Sequence, residues 1–254
     1  MKPLHWLALA GAALALSGAP AEAKGPKIPA PIAAAVADPS RPAADRERDA
    51  GRHPAELLAF AGVKPGQKIA DYMPGGGYFT RIFAKAVGPS GHVYAVFPQF
   101  MADVDKADVA KISALPSEAG YGNVSYAQEP SAAFTAPEPL DLVWTSQNYH
   151  DLQFGLSHDQ ILDLDRAIFA ALKPGGVLVV VDHVAAPGSG WSAAHTLHRI
   201  DPEAIKADMA AAGFTLEAES QVLRNPADPH TATVFDPSIR GQTDQAALKF
   251  RKPG

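Results

Sequence analysis

In the stretch DYMPGGGYFTRIFA, residues 71–84, an aspartate is followed by Gly75, Gly76 and Gly77 and then by a helical pattern. Glycine adopts backbone conformations that other residues resist and lets a ligand approach the main chain closely. A helix opening at Tyr78 would aim its free amide groups into the same space. The arrangement offers a cradle for a small polar guest, and the plain alternative is a tight strand-to-helix turn. Histidine supplies the second candidate set: His150 stands in QNYHDL beside Asp151, His183 follows Asp182, and His195 and His198 come soon after. With an ordinary pKa of about 6.5, histidine is suited to proton transfer near neutral pH. His150 or His183, with Asp151 close by, is therefore a candidate general base. His195 and His198, three apart, could share a helical face and hold a metal with Asp151 or Asp182. No HExxH or similarly specific spacing occurs, so no metal is assigned. A third reading leaves these histidines bonded to loop carbonyls and nothing more.

Residues this far apart in the chain meet only if the fold gathers them. From Lys68 onward, apolar runs alternate with helical patterns. Strands are expected at 68–72, 92–97, 123–128, 141–146 and 177–184, with helices at 78–87, 102–114, 159–172 and 202–212. Two last strands, 214–223 and 246–251, have no long helix between them. The pattern predicts an α/β fold: a Rossmann-like, doubly wound, mostly parallel sheet with an antiparallel C-terminal edge hairpin. In such sheets ligands bind beyond the carboxyl ends of the strands, where strand order reverses. The glycine loop, His150 and His183 all fall on that edge. Helices from Ala43 and over Pro54–Ala61 precede the sheet, and His53 joins the pocket if they cap it. Arg46, Arg48 and Arg52 alternate with Asp45, Glu47 and Asp49 and read as a solvated helix face. The connection 223–245, containing His230 and Arg240, is too long for a simple hairpin and could cover the pocket.

Asp71, Gly75 and Gly77, then VGPSGHVYAV, LDLVW and LKPGGVLVVVD, form an ordered set that resembles the class I S-adenosylmethionine-dependent methyltransferases. The resemblance runs over roughly residues 54–252. It is closest to an exported subgroup sharing RDAGRHPAELLAFAGVKPG, PGGGYFTRI, NYHDL and DPSIRGQTDQAALKFRKP. It implies S-adenosylmethionine as cofactor, held by Asp71, Gly75, Gly76 and Gly77, and methyl transfer to a small-molecule substrate. Asn148 and Tyr149 would then line the acceptor site. The chain departs from the family at Met73, where a glycine is usual, and at Phe97, where an acidic residue takes the ribose hydroxyls. That leaves Gln99 for one hydroxyl and Gln128 or Glu129 for the adenine edge. The competing expectation is a protein of the same fold that has lost the cofactor and binds a metal or an envelope metabolite.

Composition narrows the setting. Lys2, an apolar run over Leu4–Leu16 and the triplet Ala21-Glu22-Ala23 read as a signal peptide over 1–23, implying an exported, periplasmic protein. Residues 24–42, rich in Pro and Ala, read as a tether with one short helix, and 43–254 as the methyltransferase-like domain. The apolar run is too short to span a bilayer, and no membrane span is expected in the mature chain. A net charge of −5 without a basic block argues against nucleic acid as a partner. Without cysteine there are no disulfides, thiolate metal sites or cysteine nucleophiles.

Overall fold

The structure, a computed structural model, describes residues 27–254; the expected signal segment lies outside them. Four helices come first: α1 Ala30–Val36, α2 Ala43–Arg46, α3 Asp49–Arg52 and α4 Pro54–Ala61. Then strands and helices alternate as β1 Lys68–Tyr72, α5 Tyr78–Val87, β2 His92–Pro98, α6 Gln99–Val104, α7 Lys106–Ala114, β3 Val124–Glu129 and β4 Leu140–Ser146. The chain ends with α8 His158–Ala171, β5 Leu172–His183, α9 Ala194–Leu197, α10 Pro202–Ala211, β6 Thr215–Ser220 and β7 Gln245–Arg251.

All seven strands form one sheet in the order β3-β2-β1-β4-β5-β7-β6. Strands β1 to β5 are parallel, and β7 runs antiparallel between β5 and β6. The doubly wound sheet and its antiparallel edge are thus as expected. Order reverses between β1 and β4, which opens a crevice at their carboxyl ends. Alternate strand residues feed opposite faces. Ile69, Trp144 and Val179 join the core under α1, α4 and α5, whereas Ala70, Val143 and Val180 join the one under α8 and α10. Among the described residues no helix is long and apolar enough to cross a membrane.

Three local expectations need correction. Residues 27–42 do not stand off the domain: α1 lies on α5, with Ile32 and Ala35 buried, and Arg41 is fully buried in a bidentate bond to Asp49. That cover is why α5 is buried on nearly every side instead of along one stripe. The helix expected over 102–114 is two helices broken at Asp105, whose ψ of 48° leaves the helical region. KPGG belongs to β5 as a bulge against Leu140, where a Cβ on Gly176 would stand 3.2 Å from the Leu140 carbonyl oxygen. The long connection after β6 is ordered around Arg199 and Asp228, a fully buried pair 2.8 Å apart. Arg199 also donates to the carbonyls of Val184 and Ala232, so each of its three side-chain nitrogens has a partner.

Docking of α1 makes a measurable claim. Ile32→Ala is expected to lower unfolding stability by about 2–5 kcal/mol, read from urea denaturation. A change within error would mean that residues 27–42 tether the domain without supporting it.

Candidate functional site

The turn between β1 and α5 is built on positive backbone angles. Met73, at φ 57°, takes the left-handed conformation that glycine would adopt most easily, and its carbonyl accepts from Asn148 Nδ2 at 2.6 Å. Gly75 follows at φ 54°. Together with Gln147 (φ 65°) and His198 (φ 53°), Met73 belongs to a set of strained non-glycine residues at the carboxyl edge of the sheet. Such strain persists where surrounding structure over-determines it, which is common at functional sites.

A cleft of about 230 Å³ opens over this turn. Gly75 and Gly76 line it, and a Cβ on Gly76 would stand 3.1 Å from Asp108 Oδ1. Bare backbone therefore keeps the space between the loop and Asp108 open. Gly77 has another duty: it caps α5 at φ 87°, and a Cβ there would meet Ile112 at 2.9 Å. Asp71 also lines the cleft and accepts from Thr80 Oγ1 at 2.6 Å. Burial pushes its carboxyl up to about 7, opposed by the Thr80 bond and the charge of Arg52.

The far wall comes from the N-terminal helices, through arginines. Arg52 lies 4.7 Å from the Tyr78 ring centre and donates to the Gln147 side chain, and Arg48 also faces the cleft. Burial, and then the Arg48 charge, lower the Arg52 guanidinium to about 10. The solvated face read from the sequence therefore fails for Arg52, whereas Arg48 borders the cleft with its side chain half exposed. His53 is not part of the wall; it sits beside Glu56.

At the end of β2 the buried ring of Phe97 does line the cleft. Gln99 and Gln128 do not: Gln128 Nε2 donates to Gln99 Oε1 on the surface, and Gln99 Nε2 donates to Asp103 Oδ1 at 2.6 Å. Glu129 accepts from Thr135 at 2.7 Å and also stays outside. Asp105 and Asp108 take the place expected of them, turned inward by the break between α6 and α7. Burial and the neighbouring Asp108 charge both raise the Asp105 carboxyl. Their D-x-x-D spacing was visible, but the reading of one continuous helix hid its meaning.

Beyond β4 and β5 the histidines separate in role. His150 is buried, with Nδ1 2.7 Å from Asp182 Oδ1 and its backbone amide donating to Asp182 Oδ2 at 2.8 Å. Since an ionised carboxylate only accepts, Nδ1 carries the proton. Nε2 lies 3.0 Å from Asp151 Oδ1 and 3.3 Å from His198 Nδ1. Burial works against charge on this ring, but Asp182 and Asp151 outweigh it and raise the imidazole to about 10. His150 lines neither this cleft nor the one that His183 lines, so it is not placed to take a proton from a bound acceptor. His183, with Nδ1 2.7 Å from Thr243 Oγ1, is instead held neutral, lowered to about 4 chiefly by burial.

His183 lines a second cleft, of about 450 Å³, that shares Arg48, Arg52 and Gln147 with the first. Phe235, Arg240 and Thr243 line it from the 221–244 connection, which does cover this part of the edge. His230 serves the connection itself, bonding Asp244 at 3.0 Å. Asp151 and Asn148 line the first cleft, but Tyr149 is buried away from both, its hydroxyl donating to Asp165 at 2.8 Å. His195 and His198 share no helical face, because α9 ends at Leu197 and His198 turns left-handed; His195 is exposed.

The sheet order and its crevice agree with what the chain is similar to. Over 136 residues it is 35% identical to the ubiquinone/menaquinone biosynthesis C-methyltransferase UbiE of Hydrogenovibrio crunogenus, covering 52% of this chain and 46% of that protein. The chain thus spans just under half the length of the curated relatives it matches. A SAM-dependent methyltransferase from Aquifex aeolicus superposes with a TM-score of 0.54 at 16% identity, covering 77% of this chain and 87% of that one. The glycopeptide N-methyltransferase MtfA, solved with (S)-adenosyl-L-methionine, gives 0.53 at 14% identity over 78% and 86%. No family model matches. The fold is that of the class I S-adenosylmethionine-dependent methyltransferases.

The raised Asp71 carboxyl predicts a pH dependence. Its ordinary value is 3.8 and its folded value about 7, so the folded state binds more protons in that window and stability falls as pH rises through it. Asp71→Asn should remove this part of the slope when urea unfolding is compared between pH 4 and pH 8, on the order of that shift. Parallel profiles for the two proteins would contradict the assignment.

Proposed function

We propose that this chain is an S-adenosylmethionine-dependent methyltransferase acting on a small molecule. One observation carries the reading: the cleft at the reversal of strand order combines a glycine floor with four carboxylates, Asp71, Asp105, Asp108 and Asp151, and two guanidiniums, Arg48 and Arg52. S-adenosylmethionine carries positive sulfonium and amino groups, a carboxylate and a ribose diol. Those groups match this mixture of charges. Asp105 or Asp108 would accept from the ribose hydroxyls in place of the acidic residue missing at Phe97. Asp71 and the bare backbone of Gly75 and Gly76 would take the amino-acid end, with Arg52 near its carboxylate. When bound, the cofactor supplies an electrophilic methyl group.

The protein's own task is then to orient the acceptor and remove its proton. The second cleft is the proposed acceptor site, because it meets the first across Arg48, Arg52 and Gln147. Arg240 and Phe235 suit an acceptor with a negative charge and an apolar body. His183, neutral and on this wall, is the proposed proton acceptor, and His150 stays outside that role. The leader over 1–23 supports export as the setting for this activity. N-terminal sequencing of the protein recovered outside the cytoplasm, expected to begin at Lys24, tests that part.

A second reading, loss of the cofactor, is favoured by Phe97, whose apolar ring occupies the usual place of a hydrogen-bond acceptor. Calorimetric titration with S-adenosylmethionine and S-adenosylhomocysteine separates the two. Binding by the native protein, its loss in Gly76→Val and its retention in Gln99→Ala are the expected results. Absence of any adenosyl affinity in the native protein would sink the first reading.

His183→Ala is expected to reduce kcat for methyl transfer by on the order of a hundredfold, the usual weight of a positioned base, with cofactor affinity unchanged. An unaltered kcat would remove His183 from the mechanism.

A further inference from the structure

At Asp151, which also lines the first cleft, meet two histidines that the methyl-transfer reading does not use. His150 Nε2, Asp151 Oδ1 and His198 Nδ1 form a nearly equilateral triangle, with edges of 3.0, 3.2 and 3.3 Å. Nitrogen and oxygen ligands stand about 2.0–2.2 Å from a transition-metal ion. At tetrahedral or octahedral angles, three such donors on one face are about 3.0–3.5 Å apart. The observed edges lie in that range.

The surroundings are those of a held ligand set. Asp182, fully buried, bonds Nδ1 of His150 at 2.7 Å and so directs Nε2 toward the other two donors. Ligating histidines commonly have such a carboxylate behind them, and it fixes ring orientation and tautomer. The His198 ring is held by Phe154, stacked at 5.2 Å, and by the edge of Phe235 at 4.8 Å. Its backbone is pinned at φ 53° by the end of α9. The two carboxylates, Asp151 and Asp182, would balance the charge of a divalent ion.

We propose that His150, Asp151 and His198 bind one divalent transition-metal ion. Two imidazoles and one carboxylate suit zinc, iron(II), cobalt(II) or nickel(II), whereas calcium and magnesium prefer all-oxygen sites. Three protein ligands leave coordination positions open for water or a further ligand. Asp151 also lines the first cleft, so the site borders the space assigned to the cofactor. The site does not depend on the methyl-transfer reading, and it takes one of the two histidines expected from sequence while leaving the exposed His195 out.

The test uses the full chain stripped with a chelator and titrated with Co²⁺ and Zn²⁺, followed by calorimetry and by cobalt absorption. One equivalent per chain, with ligand-field bands from bound cobalt, is expected. His198→Ala and Asp151→Asn, both at partly exposed positions, should each weaken binding at least tenfold with circular dichroism unchanged; His195→Ala should leave it intact. Lack of saturable binding, or binding indifferent to His198→Ala, would overturn the site.

Discussion

Asp182 is a carboxylate with no access to water at the end of β5, and its two oxygens accept from three donors: the amides of His150 and His183 and the His150 ring. Unpaired, such a charge would cost several kcal/mol. Paired, it keeps its proton off despite burial, because the neighbouring His150 ring lowers it. The segment after β4 is therefore tied to the end of β5, and the direction of the His150 ring follows from the tie. The placement of Asp151, the next residue in the chain, follows from the same tie.

The same edge shows how one loop composition produces two environments. Residues that follow β1 leave backbone exposed around a charged cleft, whereas residues that follow β4 and β5 pack histidines against carboxylates. His150 and His183 are chemically identical and have ring centres 6.0 Å apart, yet their pKa values move in opposite directions. One lies between two carboxylates; the other is buried with a hydroxyl. A divergence of that kind marks distinct roles for two like groups, and it explains why a search by residue type alone treated them as interchangeable.

The N-terminal helices have a larger part than their composition suggests. Arg41 bonds Asp49 twice, and Asp49 accepts from the Tyr78 hydroxyl at 2.6 Å. Through this chain of contacts α1 to α4 fix the arginine wall relative to the glycine loop. The shared wall of Arg48, Arg52 and Gln147 is thus a product of docking between segments distant in the chain.

Strand and helix positions were legible in the sequence because apolar spacing repeats with the period of each element. The bounds of β1 and α5 were read to the residue, and the parallel order followed from their alternation. Asp71, Gly75 and Gly76 were legible too, since backbone freedom after a strand is local chemistry. Whether a polar side chain faces the cleft or the solvent was not. Gln99 turned to Gln128 and Tyr149 to Asp165, each decided by a partner well away in sequence, and Asp105 turned to the cleft where α6 and α7 break. Local sequence sets which conformations the backbone can adopt, but the direction of a charge depends on what is packed beside it, and only the folded chain supplies that neighbour.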